Sequence, residues 1–287
     1  MNSFNLVSTD HLKSGMLFED DDDFRAGMNK VAICSYLTKV KVLAFILMSS
    51  HVHFVLLCPK TEAKLFIDKY KMLYSNYYCR KYGTREYLRR LNVDIKEVLI
   101  EDESLLKALA YVNMNSVAAN LVPNPVLYPW GTGAIIFSAI SPKGIKIDEM
   151  SLSKRRKFLK SKVVLPRDYI IGDSGYIHPC SYVPVKYVES LFKTPRRYSF
   201  FLNNSSKAKQ RLNNSESPSF NDTIVKAAMK SLIQSLFRKA SIEDMNEEQK
   251  VELIRQIKWR FSSDENQLVR VSGLSSQEID RLINGFF

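Results

Sequence analysis

Two apolar segments separated by only two serines constrain this chain more than any other feature. Val40, Val42, Leu43, Phe45, Ile46 and Leu47 make one run, His51 to Cys58 makes the next and ends at Pro59, and Ser49-Ser50 is all that lies between them. So short a link joins two strands as an antiparallel hairpin. Both runs are almost continuously apolar, so the hairpin belongs in an interior covered by other elements. The longest apolar run, Val42 to Met48, is far too short to cross a bilayer.

The flanking segments supply that cover. Ser3 to Ser8 alternates as an edge strand does. The acidic run Glu19 to Asp23 precedes Phe24, Met28, Val31, Ala32 and Tyr36 at helical spacing, and carboxylates interact favourably with a helix N-terminus, so it reads as a helix start before a metal site. Residues 61–82 repeat Leu65, Phe66, Tyr70, Leu73 and Tyr77 at intervals of three and four and stop at Gly83. A further helix spans Ser104 to about Asn120, and Pro123, Pro125 and Pro129 end helical structure beyond it. The last seventy residues hold four helical segments, about 221–240, 246–261, 263–272 and 275–285, and no strand-like one.

A chain of 287 residues is long enough for about two domains, and 45% hydrophobic with 25% charged residues excludes wholesale disorder and a coiled-coil rod. The N-terminus has no basic region followed by an apolar one, so a soluble, cytoplasmic protein with no membrane partner is expected. Its net charge of +12 is unevenly placed: residues 1–150 net +2, residues 151–213 net +11 and residues 214–287 net −1. A local basic excess most often serves a polyanion, and Lys154-Arg155-Arg156-Lys157 is its densest part. The same segment also reads as a solvated basic linker, ending in Asn203-Asn204-Ser205-Ser206 and Asn213-Asn214-Ser215. Cys34, Cys58, Cys79 and Cys180 form no C-x-x-C pair and read as buried thiols.

Chemistry concentrates in two short motifs. In His51-Val52-His53 the imidazoles share one face of a strand while Val52 points into the opposite layer, an arrangement that can hold a divalent metal. Tyr111 and Asn115, four apart on a helix, also share a face. Taken singly, each motif is equally well read as packing: a pair of core histidines, a half-buried helical aromatic and an amide near a helix end.

Phe45 to Leu56, with the histidine pair, resembles the strand-turn-strand signature of single-tyrosine HUH transposases, the REP-associated tyrosine transposases among them. Tyr111 to Val122, followed by Tyr128-Pro129-Trp130, resembles their nucleophile helix and its exit. The resemblance covers roughly residues 1–135. It implies an α+β fold, a ferredoxin-like antiparallel sheet with flanking helices, and three parts: an HUH catalytic domain over 1–135, a basic connecting region over 136–220 and a small helical domain over 221–287. It also implies His51, His53 and Asn115 as ligands of Mg²⁺ or Mn²⁺ and Tyr111 as nucleophile. The expected activity is that of a mobile-element transposase, a nickase and strand transferase cleaving single-stranded or hairpin DNA through a 5′-phosphotyrosine; a homodimer is left open. The alternative is a sequence-specific DNA-binding protein with a vestigial catalytic half. The chain departs from the family pattern at Ser49-Ser50, where Pro-Asn is usual, at Ser116, where Pro often stands, and in lacking an Arg-Gly-Asn run after the first strand.

In the helical tail, Ser263–Ser272, Gly273 and Ser275–Asn284 have helix-turn-helix spacing, with Ser275 and Glu278 forming a capping box. Leu268, Val271, Leu274, Ile279 and Leu282 would then be core. Gln267, Arg270, Ser276, Gln277 and Arg281 would face a DNA groove.

Overall fold

The computed structural model describes residues 3–12, 15–83, 87–205, 220–261 and 263–284. Its first half runs β1 (Ser3–Thr9), α1 (Asp21–Thr38), β2 (Lys41–Met48), β3 (His51–Cys58), α2 (Lys60–Tyr82), the short α3 (Tyr87–Arg90), β4 (Val93–Val98) and α4 (Ser104–Ala118). The strands form one sheet in the order β2-β3-β1-β4, antiparallel throughout. Two interleaved β-α-β units in this order are the ferredoxin-like arrangement. Met48 pairs with His51, so Ser49 and Ser50 alone make the turn, as expected.

The acidic run starts α1: Asp20 accepts a hydrogen bond from the Asp23 backbone N–H at 3.0 Å. Asp23 itself is fully buried, where it accepts the Tyr77 and Tyr82 hydroxyls at 2.8 Å each and Lys81 Nζ at 2.7 Å. The outer edge of β2 is closed by Trp130–Thr132, with Leu47 N donating to Trp130 O (2.8 Å) and Thr132 N to Phe45 O (3.0 Å). Only glycine fits between those residues, because a Cβ at Gly131 would stand 2.7 Å from Phe45 O.

The pleat of β3 sorts its side chains. Phe54 packs on Phe66 and Tyr70 of α2, whereas His53 packs on Tyr111 of α4. Helices α1 and α2 therefore cover one face of the sheet, and α4 lies on the other, with the histidines beneath it.

The expected connecting region is folded over most of its described length. It carries β5 (Gly144–Lys146), α5 (Leu152–Leu159), β6 (Ile170–Gly172), α6 (Val185–Phe192) and α7 (Pro195–Asn203). Ile147, Leu159, Leu165, Ile171 and Ile177 bury against Ala32 and Ile33 of α1, while Val188, Phe192, Tyr198 and Phe201 join the main core. The reading as a basic linker is corrected here, because single apolar anchors spaced by turns leave no periodicity to detect. Its final part, including Asn213-Asn214-Ser215, lies outside the described residues.

The tail is all helical as read: α8 (Asp222–Ser235), α9 (Glu247–Phe261), α10 (Glu265–Ser272) and α11 (Ser276–Asn284). Ser275 and Glu278 form the capping box, with Ser275 N donating to Glu278 Oε2 at 2.8 Å and Glu278 N to Ser275 Oγ at 3.2 Å. Its own core, which includes Val225, Leu253, Ile257, Leu268 and Ile279, also takes in Met16 from the first half. Among the described residues no helix is long and apolar enough to cross a membrane.

Candidate active site

His51 and His53 are 5% and 3% exposed, and their rings meet edge to face with centroids 4.7 Å apart. Each Nδ1 shares a hydrogen bond with a serine hydroxyl: His53 with Ser8 Oγ at 2.7 Å and His51 with Ser50 Oγ at 3.0 Å. Ser8 is the β1 residue paired with His53 in the sheet, so strand register puts the hydroxyl there. Fixing Nδ1 in this way orients a ring for ligation through Nε2. Sequence reasoning missed both serines; the alternation of β1 carries the signal for Ser8, but only once its partner strand is known. It also missed His11, an exposed side chain whose ring lies tilted by 32° against His51 with centroids 3.7 Å apart.

Tyr111 comes from α4, some sixty residues on, and stands edge-on to His53 with ring centroids 5.5 Å apart. It is half-buried, and that burial raises its phenol above the ordinary tyrosine value. Tyr111 also lines an open cavity of about 560 Å³ whose wall carries Lys96 and Lys107, the carboxylates Glu97, Asp102 and Glu103, and the rings of Phe200 and Phe201. Two of these walls, Phe200 and Phe201, belong to α7, so part of the supposed connecting region completes the site. Asn115 sits one turn beyond Tyr111 and is 3% exposed; its Nδ2 donates to Tyr111 O (2.9 Å) and Val112 O (3.2 Å), so Oδ1 is the amide atom these bonds do not use.

The donor set suits a hard or borderline divalent cation: two imidazoles held on one pleat face and one amide oxygen. Among the described residues no group of three or more His, Cys, Asp or Glu is placed to hold a metal.

The residues expected to read DNA are divided by the structure. Lys154, Arg156 and Lys157 are exposed on α5, but Arg155 folds back, with Nε donating to Met150 O at 2.7 Å and Nη2 to Asp148 O at 2.8 Å. Ser276, Gln277 and Arg281 are exposed on α11, and Arg281 is ion-paired with Glu247. Gln267 and Arg270 do not face a groove. Gln267 is 4% exposed and donates to Asp222 Oδ1 at 2.8 Å, and Arg270 Nε donates to Asp222 Oδ2, also at 2.8 Å. Asp222 is buried at the start of α8, where its Oδ2 also accepts the Ser49 hydroxyl at 2.6 Å. The helical unit is thus docked, through one carboxylate, on the turn that carries His51. Lys226 of α8 adds an ion pair to Glu19.

No family model and no curated protein matches the chain. Among solved structures, that of a REP-associated tyrosine transposase bound to a REP hairpin is similar to it at 11% identity and a TM-score of 0.35, over 45% of this chain and 76% of that one.

Proposed function

We propose that the protein cleaves and rejoins DNA strands with Tyr111 as nucleophile and a divalent cation held by His51, His53 and Asn115. The observation that carries this reading is the meeting of Tyr111 with the His51-His53 pair, from elements far apart in the chain, at the edge of an open cavity. A structural role for the tyrosine does not call for that convergence.

When bound, Mg²⁺ or Mn²⁺ would polarise the scissile phosphate and favour negative charge on the phenol oxygen. The residues do the rest. Ser8 and Ser50 hold the imidazoles, and α4 presents Tyr111 to the cavity. Tyr111 Oη attacks phosphorus, a tyrosyl P–O bond forms, and the 3′ oxygen leaves and takes up a proton, the phenol proton being released. The protein is then joined to the DNA 5′ end, and a second 3′-hydroxyl can reverse the step, so strands are transferred rather than hydrolysed. Burial disfavours the phenolate form of Tyr111.

Incubation with pooled single-stranded oligonucleotides and Mn²⁺ should give a denaturation-resistant protein–DNA species, and Tyr111→Phe should remove it with fold and DNA affinity nearly unchanged. An adduct persisting in the Phe variant would reject Tyr111. Tyr74, Tyr77 and Tyr78 are poor substitutes, since they lie buried on α2 across the sheet from the histidines. Cleavage without any adduct would instead mean that water is the nucleophile.

A further inference from the structure

On the face of the sheet away from the histidines, the C-terminal end of α2 and the C-terminal end of α5 enclose an open cavity of about 800 Å³. Its charged lining is entirely cationic: Lys30 from α1, Arg80 and Lys81 from α2, and Arg156, Lys160 and Lys162 from α5 and the turn after it. Two of the six are occupied by the fold. Lys30, 2% exposed, donates to Leu159 O at 2.9 Å and Lys160 O at 3.2 Å, and so holds α5 against α1. Lys81 pairs with Asp20 and Asp23, each at 2.7 Å. Arg80, Arg156, Lys160 and Lys162 are exposed and have no ion pair among the described residues. Lys160 stands over the Tyr77 ring, 4.4 Å from its centroid.

Gathering four uncompensated cations around one concavity costs self-repulsion. Burial and the positive charges of Lys160 and Arg80 bring the Lys30 amine down to about 8, well below an ordinary lysine. Such a field is relieved by a multiply charged anion, and successive phosphates of a nucleic-acid strand supply closely spaced negative charge. Only Arg156 of the cluster at 154–157 takes part; Lys160 and Lys162 come from the rest of the basic segment, and Lys30, Arg80 and Lys81 from the first half of the chain.

We propose that this cavity is a second DNA site, which grips the phosphodiester backbone of a single strand on the face opposite Tyr111. A strand held here and cut at Tyr111 has to pass round an edge of the sheet. The proposal rests on the reading of the protein as DNA-binding, but not on the chemistry at Tyr111.

The test compares two variants of the full chain with equal loss of charge. One is Arg80→Gln, Arg156→Gln, Lys160→Gln, Lys162→Gln; the control is Lys41→Gln, Lys60→Gln, Lys258→Gln, Arg260→Gln, at four other exposed cations. Affinity for a fluorescent single-stranded oligonucleotide is titrated at several salt concentrations, and adduct formation at saturating DNA is scored separately. The cavity variant should flatten the slope of log K against log salt by roughly 0.7 per lost phosphate contact, approaching 3 units for four, and the control by less than about one unit. Equal flattening in both would show a general field rather than a site, and an unchanged slope in the cavity variant would remove the site altogether. If the quadruple variant melts early, the pair Arg80→Gln, Lys162→Gln should retain half of the flattening. Normal adduct with an unchanged slope defeats this proposal alone; a lost slope with no adduct from the wild type defeats the Tyr111 chemistry alone.

Discussion

The strand half and the helical tail use polar residues in opposite ways. In the first half, residues set on one face of an element by periodicity converge on that face: His51 with His53, and Tyr111 against them. In the tail, two residues set on the exposed face by the same reasoning, Gln267 and Arg270, turn inward to Asp222. The difference lies in what each element packs against. A strand inside a sheet has both faces covered by parts of its own domain, and alternation reports them. A helix in a small unit that docks on another domain has a second buried face, which its internal period does not report.

Removing the histidines should divide the two regions most sharply. His51→Ala or His53→Ala should abolish strand cleavage and leave the melting of the helical unit where it was; retained cleavage in EDTA would take the cation out of the mechanism. Asp222→Ala should do what neither histidine variant does and affect both regions together. It leaves Arg270 with a half-buried, unmatched charge and releases Ser49, at a cost of about 3 kcal/mol. Its cleavage should fall as well, because Ser49 adjoins Ser50, whose hydroxyl holds the His51 ring. If Asp222→Ala lowers stability but leaves cleavage per folded molecule unchanged, the docking is structural alone.

Asn115→Ala comes next, with cleavage reduced roughly ten- to a hundredfold and partly recovered by added Mn²⁺. Insensitivity to Mn²⁺ would mean that the amide serves the helix rather than a cation. The smallest effect belongs to Lys30 of α1, which holds the middle segment through Leu159 O and Lys160 O. Lys30 titrates near 8 when folded and near 10.5 when unfolded, so between those values the unfolded chain holds more protons and stability rises with pH. The wild type should gain about 1 kcal/mol between about pH 8 and pH 9 relative to Lys30→Met. Parallel pH curves for the two proteins would show that the amine is not held away from water.

The hairpin, the helix starts and the shared faces of the two motifs were all legible in the residues, because each rests on neighbours within one element. Asp20 as a cap and the Ser275-Glu278 box are of the same kind. Less legible was the middle segment, where the anchors Ile147, Leu165 and Ile177 are separated by turns, and its net charge of +11 obscured its contribution to the core. Three of the cations that gather with Arg156 around the α2–α5 cavity, Lys30, Arg80 and Lys81, lie outside the basic segment 151–213 altogether.

By itself, the order of residues determined the antiparallel hairpin and the placing of two imidazoles on one face and a phenol with an amide on another, since periods of 2 and 3.6 fix directions within a strand or a helix. Tertiary structure alone decided that those two faces look at each other, that Ser8 and Ser50 hold the rings, that α7 closes the cavity, and that Asp222 ties the helical unit to Ser49. Each of these is a contact between segments many residues apart. Chain order carries no distance for such a pair until sheet register and helix packing bring the segments together.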